Sequence, residues 1–368
     1  MQLDEAGYLR PTRHVEQNEI NGACPGDQVF HHNISKYDEL WGPLLSTKSA
    51  YALDPEIRFQ GSSGGVITAI LSHLLSTGKV DAVIQVGVDR DFALLNDTYV
   101  HASSHELVAN AGSRYSPSAP LEAVRALKAD DARRFAFVGK PCDVAALRHY
   151  VRNDPALSSR FPFMISFICA GVPSQKGTEA ILEKMGANAS DVVGFKYRGA
   201  GWPGMTRATD KQGKVYELTY NEAWGRILNR HLQPRCKLCA DGTGEAADIV
   251  CGDAWYESKD GYPSFEERDG RSLLLVRTEI GRLLVSEAER VGAISSEDVD
   301  PADIELMQPY QANRKRSMLA RSVAVKLTGG QPPRYPEQHL YAVAIKAGPV
   351  KFARAVLSTM KRRLQGRI

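Results

Sequence analysis

GSSGGVITAILSHLLSTGKVDAVIQVG, residues 61–87, sets the architecture. A glycine-serine loop opens a helical run from Val66 to Thr77, and its apolar residues Val66, Ile70, Leu74 and Leu75 share one face. Gly78 ends that run, and residues 80–87 read as a buried strand. The pairing repeats downstream. RFAFVG (134–139) is a short strand, with a helix from about Cys142 to Tyr150. FPFMISFIC (161–169) is a third, with a helix after Ser174 that stops near Gly186. Strands alternating with helices of this length predict an α/β fold whose sheet is mixed but largely parallel.

Past Asp191 the texture changes. VVGFKYR, MTRATD and KVYELTY, around the Lys211–Gly213 turn, predict an antiparallel β segment. A helix near Glu222–His231 leads into Cys236-Lys-Leu-Cys239, and SLLLVRT (272–278) is a strand followed by a helix over Glu279–Val291. Upstream, residues 1–57 read as irregular, because Gly, Pro, Asn and Asp break every apolar run and Trp41 is the only large anchor. Downstream, Val350–Leu364 reads as a helix: Phe352, Val356, Leu357, Met360 and Leu364 fall at helical spacing, with Lys351, Arg354, Lys361, Arg362 and Arg363 between. Four segments result: an irregular 1–57, two parts of one core at 58–190 and 191–310, and a basic helical tail at 311–368.

The 368 residues are 43% apolar and 24% charged, enough to bury a core without covalent staples. Six cysteines are too few for a disulfide scaffold. No apolar run approaches the roughly 18 residues of a membrane span. The opening MQLDEAGYLR has no basic-then-apolar signal, so a cytoplasmic protein is expected. The formal charge of +3 hides an asymmetry: residues 311–368 carry 13 Lys/Arg against Glu337 alone, whereas residues 1–310 carry 33 basic and 42 acidic side chains. A basic amphipathic tail suits an anionic membrane surface or an acidic electron-transfer partner, and equally a solvated face packed on its own domain. No nucleic-acid motif accompanies the charge, so no nucleic acid is expected. Homo-oligomerisation is left open.

The cysteines carry the strongest chemical signal. Two residues between Cys236 and Cys239 let one turn bring both sulfurs to a metal centre, as in zinc sites and iron–sulfur clusters. Cys142 and Cys169 complete a set of four, since each falls at or just past the C-terminal end of a predicted strand, the edge where ligands of open α/β sheets converge. Spacing alone leaves zinc and iron equal, and two small buried cysteines are the ordinary alternative for Cys142 and Cys169. Cys251, in ADIVCGDAW, reads as core. Cys24, in GACPG, resembles the last ligand of a bacterial ferredoxin motif, but residues 1–23 contain no cysteine to accompany it.

GSSGG at a helix start offers backbone N–H groups and two hydroxyls to an anion, though neither GK[ST] nor G-x-G-x-x-G is present. Taken in order, GSSGGVITAILSHLLSTGKVDAVIQVG, AGSRYSPS, GKPCDVAALR, FICAGVPS, FKYRGAGWPG and RCKLCADGTGEAADIVCGDAW resemble the beta-subunit family of coenzyme F-420 (deazaflavin) hydrogenases and dehydrogenases, which also contains reductases of chlorophyll intermediates. The resemblance covers roughly residues 20–330. It implies FAD and one 4Fe-4S cluster in one polypeptide, the cluster on Cys142, Cys169, Cys236 and Cys239. It places the flavin near Ser62, Ser63, Gly64, Gly65 and Val66 and near Ser113, Arg114 and Tyr115, with Trp202, Gly252 and Asp253 in matching motifs. Lys140 and Arg198 lie in such motifs too. Tyr115, Lys140 and Asp253 are unranked candidate proton donors. The chain departs from relatives that carry an N-terminal ferredoxin-like module, so 1–57 is expected to lack a second cluster.

The implied activity is a flavin- and iron–sulfur-dependent oxidoreductase joining a ferredoxin-like one-electron donor to a small hydride-accepting substrate. The alternative is a non-redox protein stapled by zinc on the same four cysteines.

Overall fold

The strand–helix alternation read from Gly61 is present in the computed structural model, which describes residues 1–12, 24–30, 36–128, 130–257 and 263–368. Apart from two small two-stranded ladders before residue 44, the strands are β1 (Ser46–Ala52), β2 (Ala82–Val88), β3 (Asn96–His101), β4 (Phe135–Gly139) and β5 (Phe163–Phe167), then β6 (Val192–Lys196), β7 (Thr206–Asp210), β8 (Val215–Leu218), β9 (Ile249–Asp253), β10 (Ser272–Val276) and β11 (Ile294–Asp298). Eight form one sheet in the order β11-β1-β10-β9-β5-β4-β2-β3. The central β9-β5-β4-β2 run is parallel, and antiparallel pairings flank it. Five of the eight strands, β1, β2, β4, β5 and β9, point the same way. The expected α/β class with a mixed, largely parallel sheet is therefore correct, and β6-β7-β8 is the expected separate antiparallel sheet.

Successive side chains of β4 explain why the central strands read as continuous apolar runs. Phe135 and Phe137 enter one core with Val144, Leu147 and Val151, whereas Ala136 and Val138 enter the other with Ile70, Leu71 and Leu74. The first group comes from helix α2 (Pro141–Val151), and the second from α1 (Val66–Ser76) packed beside α4 (Glu279–Arg290). Helix α3 (Gln175–Met185) instead sends Ile181 and Leu182 to Phe195, Ala208 and Leu218 of the small sheet.

The reading of 1–57 as irregular misses β1, which pairs with β10 and β11 inside the main sheet. STKSAYA is buried on both faces, with Thr47 and Ser49 on one and Ala50 and Ala52 on the other, all too small or polar to register as an apolar stripe. Residues 13–23 and 31–35 of that segment lie outside the described residues. The expected helix near Glu222–His231 is a wide π-type turn over Asn221–Ile227 followed by a tight turn.

The tail is helical, as expected: α5 (Pro309–Leu327), α6 (Leu340–Ala347) and α7 (Pro349–Leu364). Helix α7 packs on α5 and buries only Thr359 fully, so its predicted apolar stripe divides. Phe352, Val356 and Met360 are half-buried, while Leu357 and Leu364 face outward. Among the described residues no helix is long and apolar enough to cross a membrane.

Candidate functional site

The C-terminal ends of the parallel strands open onto a cavity of about 540 Å³. Its wall takes Ser62, Ser63, Gly65 and Val66 from the glycine-serine loop, Ser113, Arg114 and Tyr115 from the segment after β3, and Lys140, Cys169, Gly252 and Asp253 from strand ends. The topology thus gathers residues from across the chain onto one edge.

The glycine-serine loop is shaped by close packing. A side chain on Gly64 would lie 2.5 Å from the Ala50 carbonyl and 2.8 Å from the Ser272 nitrogen, so Gly64 sits beneath the cavity rather than on its wall. Gly65 caps α1 at φ +72°, a left-handed conformation that favours glycine. Ser63 Oγ is tied to the Arg271 and Gly252 carbonyls at 2.8 and 3.1 Å, joining the loop to β9 and β10. Two polar features are left over. No side chain caps the first turn of α1, and the Ser62 hydroxyl is buried without a protein partner. An uncapped eleven-residue helix beside an orphaned hydroxyl on a cavity wall fits the phosphate end of a nucleotide cofactor.

Asp253 organises the wall beside this loop. Its carboxylate accepts two hydrogen bonds from Arg198, at 2.9 and 2.8 Å, and a third from Trp202 Nε1 at 2.7 Å. Arg198 is 2% exposed and lies over the Tyr220 and Trp255 rings. Burial weakens its hold on a proton, but the Asp253 carboxylate outweighs this and keeps the guanidinium firmly charged. Trp202 stacks on Trp255 at 4.8 Å and 11°, and it is Trp255 that borders the cavity, with Trp202 behind it. Arg114 lines the wall but turns its guanidinium to the carbonyls of Ala93, Leu95 and Phe195 and to Asn96. Tyr115 packs on Trp224, and Arg198 donates to its hydroxyl at 3.4 Å. Lys140 Nζ donates to Ser118 Oγ at 2.9 Å and pairs with Asp143 at 2.7 Å. Burial pulls its proton affinity down, yet Asp143 and the neighbouring cysteines push it up further, so the ammonium stays charged.

The cysteines stand where the strand ends predict. Cys142 is the second residue of α2, and Cys169 follows β5 by two residues. Burial pushes both thiols up to about 12, and thiol neighbours add to it: Cys239 beside Cys142, and Cys236, Cys142 and Cys239 beside Cys169. Cys239 is likewise raised, first by burial, with Cys236 contributing. All four therefore share one neighbourhood, with Cys236 buried and the other three partly exposed. The Val172 N–H donates to Cys236 Sγ at 3.4 Å. Among the described residues no three or more of His, Cys, Asp and Glu converge tightly enough for a single metal ion. A 4Fe-4S cluster takes each thiolate on a different iron and so spreads its ligands more widely than one ion does. Three cations face the group: Lys140 beside Cys142 and Cys169, the partly exposed Arg235, and the buried Arg314. Arg235 stands beside Cys142, Cys239 and Cys236, and Arg314 beside Cys239, Cys169 and Cys236. Arg235 was legible as the residue preceding Cys236, whereas nothing local marks Arg314. Cys169 alone among the four also lines the cavity. Cys251, expected in the core, is buried there and touches the cavity's rim.

An open α/β core with four thiols beside a cavity at the strand ends defines a class, and the comparisons identify it: the chain belongs to the coenzyme F420 hydrogenase/dehydrogenase beta-subunit family. Residues 47–125 match the N-terminal part of that family's beta subunit, and residues 132–302 match its C terminus. Among individual relatives, it is 29% identical to the F420-dependent formate dehydrogenase 1 subunit beta of Methanococcus maripaludis, over 71% of this chain and 64% of that one. It is 25% identical to a coenzyme F420 hydrogenase subunit beta of Methanococcus voltae, over 75% and 92%. It is also 24% identical to the chloroplastic 7-hydroxymethyl chlorophyll a reductase of Oryza sativa subsp. japonica, over 61% and 46%. The chain spans only 37% of a coenzyme F420-dependent sulfite reductase from Methanocaldococcus jannaschii that it also matches. A chain of the F420-reducing [NiFe] hydrogenase complex from Methanosarcina barkeri shares the fold, with TM-score 0.60 and 22% identity over 82% of this chain and 99% of that one.

Proposed function

We propose that this chain is an iron–sulfur flavoprotein oxidoreductase that passes electrons between a one-electron, ferredoxin-like donor and a small hydride-accepting substrate. The observation that carries this reading is Cys169, which belongs both to the four-thiol neighbourhood and to the cavity wall. A 4Fe-4S cluster on Cys142, Cys169, Cys236 and Cys239 would supply single electrons, and FAD in the cavity would pair them for hydride delivery.

The chain's own residues have separable tasks. Ser62 and the open first turn of α1 would hold the cofactor's phosphate, and Ser63 locks the loop in place. Arg198, Asp253 and Trp202 keep the adjoining wall rigid. Because both Asp253 oxygens already accept strong hydrogen bonds, its role is to anchor Arg198 rather than to donate a proton. Lys140 Nζ and Tyr115 Oη are the wall groups that carry a proton toward the cavity. The aromatic wall of Trp224, Trp255 and Phe265 excludes water.

The tail adds a docking face for partners. Val350, Leu357 and Leu364 recur every seven residues on α7 and are 70%, 68% and 80% exposed, with Arg354 and Lys361 between them. Such a face suits an anionic membrane surface.

Anaerobic reconstitution of the full chain with ferrous iron, sulfide and FAD tests the main reading. The expected product carries flavin released on denaturation, with iron and acid-labile sulfide in equal amounts. Cys169→Ala should lose the iron and leave flavin retention largely intact. Zinc without iron or labile sulfide, or a colourless chain, would replace the reading with a structural zinc site.

A further inference from the structure

Every backbone carbonyl of Cys236-Lys237-Leu238-Cys239 accepts a hydrogen bond from a tail side chain. Arg314 Nη2 reaches the Cys236 carbonyl at 2.6 Å, and Arg321 Nη1 reaches that of Lys237 at 2.8 Å. The Tyr335 hydroxyl donates to the Leu238 carbonyl at 2.6 Å, and Arg314 Nε to that of Cys239 at 2.9 Å. The remaining Arg314 nitrogen, Nη1, donates to the Cys169 carbonyl at 2.9 Å. One guanidinium, 3% exposed, thus binds the backbone of three of the four cysteines. Its helix, α5, lies beyond residue 302, where the match to the family ends.

We propose that Arg314 is a positioning residue for the iron–sulfur site: it fixes the Cys169 and Cys236–Cys239 backbones before metal arrives and holds a permanent positive charge beside the cluster. The proposal rests on the cluster reading above. Its physical basis has two parts. The planar guanidinium has five N–H donors in a rigid fork, so it fixes three carbonyls of two separate loops in one geometry, which the freely rotating N–H groups of an ammonium do not. A reduced cluster carries one more negative charge than an oxidised one, and a buried cation at fixed distance favours the more negative state.

The test compares R314Q, R314K and K315M in the full-length chain, reconstituted anaerobically with ferrous iron and sulfide. Lys315 is the next residue and makes a buried pair with Glu245 at 2.7 Å, so K315M reports ordinary loss of stability in the same helix. Three quantities are read: iron and sulfide per chain, the cluster midpoint potential from a titration followed by electron paramagnetic resonance, and the melting temperature of the metal-free chain. R314Q should release iron to a chelator about tenfold faster than wild type and move the midpoint to lower potential. R314K, which keeps the charge and loses the fork, should release iron faster with the midpoint nearly unmoved. K315M should lower the melting temperature without shifting the midpoint.

An R314Q chain with wild-type iron retention and midpoint would overturn the proposal, as would a midpoint shift no larger than that of K315M. Should R314Q fail to load, R314K decides, and wild-type retention in that variant overturns the role of the fork. A wild-type chain that takes up neither iron nor sulfide overturns the cluster reading itself, and the positioning role with it.

Discussion

Asp253 takes three hydrogen bonds from Arg198 and Trp202 through one carboxylate, so its removal reads out the rigidity of the cavity wall. In Asp253→Asn the shape is kept, but Arg198 remains buried without a counter-charge. The expected cost is about 3 kcal/mol in chemical denaturation, together with weaker flavin retention. A stability equal to wild type would mean that the Tyr220 and Trp255 rings and the Pro203 and Tyr115 oxygens suffice to hold Arg198. Cys251 gives a second residue-scale test. Burial alone pushes its thiol from the ordinary 9.0 up to about 12. Folding therefore favours the protonated thiol, and this contribution is complete below pH 9.0, fading as the pH rises toward 12. Melting temperatures of the metal-free chain between pH 8 and about 10.5 should fall less steeply in Cys251→Ala than in wild type. The sequence already placed Cys251 in the core, because it sits in an apolar strand. It could not show that the same residue borders the cavity, since that depends on where β9 ends beside β5.

Helix α1 and the loop before it act as one element, and two substitutions separate its packing from its chemistry. Gly64→Ala forces a methyl against the Ala50 carbonyl and the Ser272 nitrogen, backbone atoms of two neighbouring strands that cannot yield. It should destabilise the chain by about 2 kcal/mol or more and displace the start of α1. Ser62→Ala removes a hydroxyl that no protein group uses, so the melting curve of the flavin-free chain should stay in place. Its flavin dissociation constant, read by fluorescence quenching, should rise roughly tenfold. An unchanged constant would remove Ser62 from the site. This element was legible because apolar spacing, a terminal glycine and a following β-branched run all agree. Strands β1 and β11 were not, for a shared reason: STKSAYA and ISSED are polar or small, and they take strand form only because a neighbouring strand offers its edge.

At the scale of the whole molecule the charge asymmetry acquires two uses. Part of the tail's positive charge is buried against carbonyls at the cysteine loop, and part is displayed on α7. The displayed part predicts sedimentation with vesicles containing phosphatidylserine. Binding should weaken in Leu357→Asp/Leu364→Asp and in added salt, and wild-type chain that stays in the supernatant would remove the membrane role. The count of 13 basic residues was plain in the sequence, but its division was not. Arg314 and Cys236 are 78 positions apart, and Tyr335 and Leu238 are 97, separations that leave no periodic trace.

Those separations also impose an order on biosynthesis. A ribosome delivers the N-terminal part of a chain first. Cys169, Cys236 and Cys239 therefore emerge, with Cys142, while the side chains that hold their backbones are still untranslated. A nascent or prematurely terminated chain can own every sulfur and still lack the arginine fork that gathers them. On the proposal that these cysteines hold a cluster, iron loading would wait for translation to pass Arg314 and Tyr335, the residues that tie the cysteine loops down.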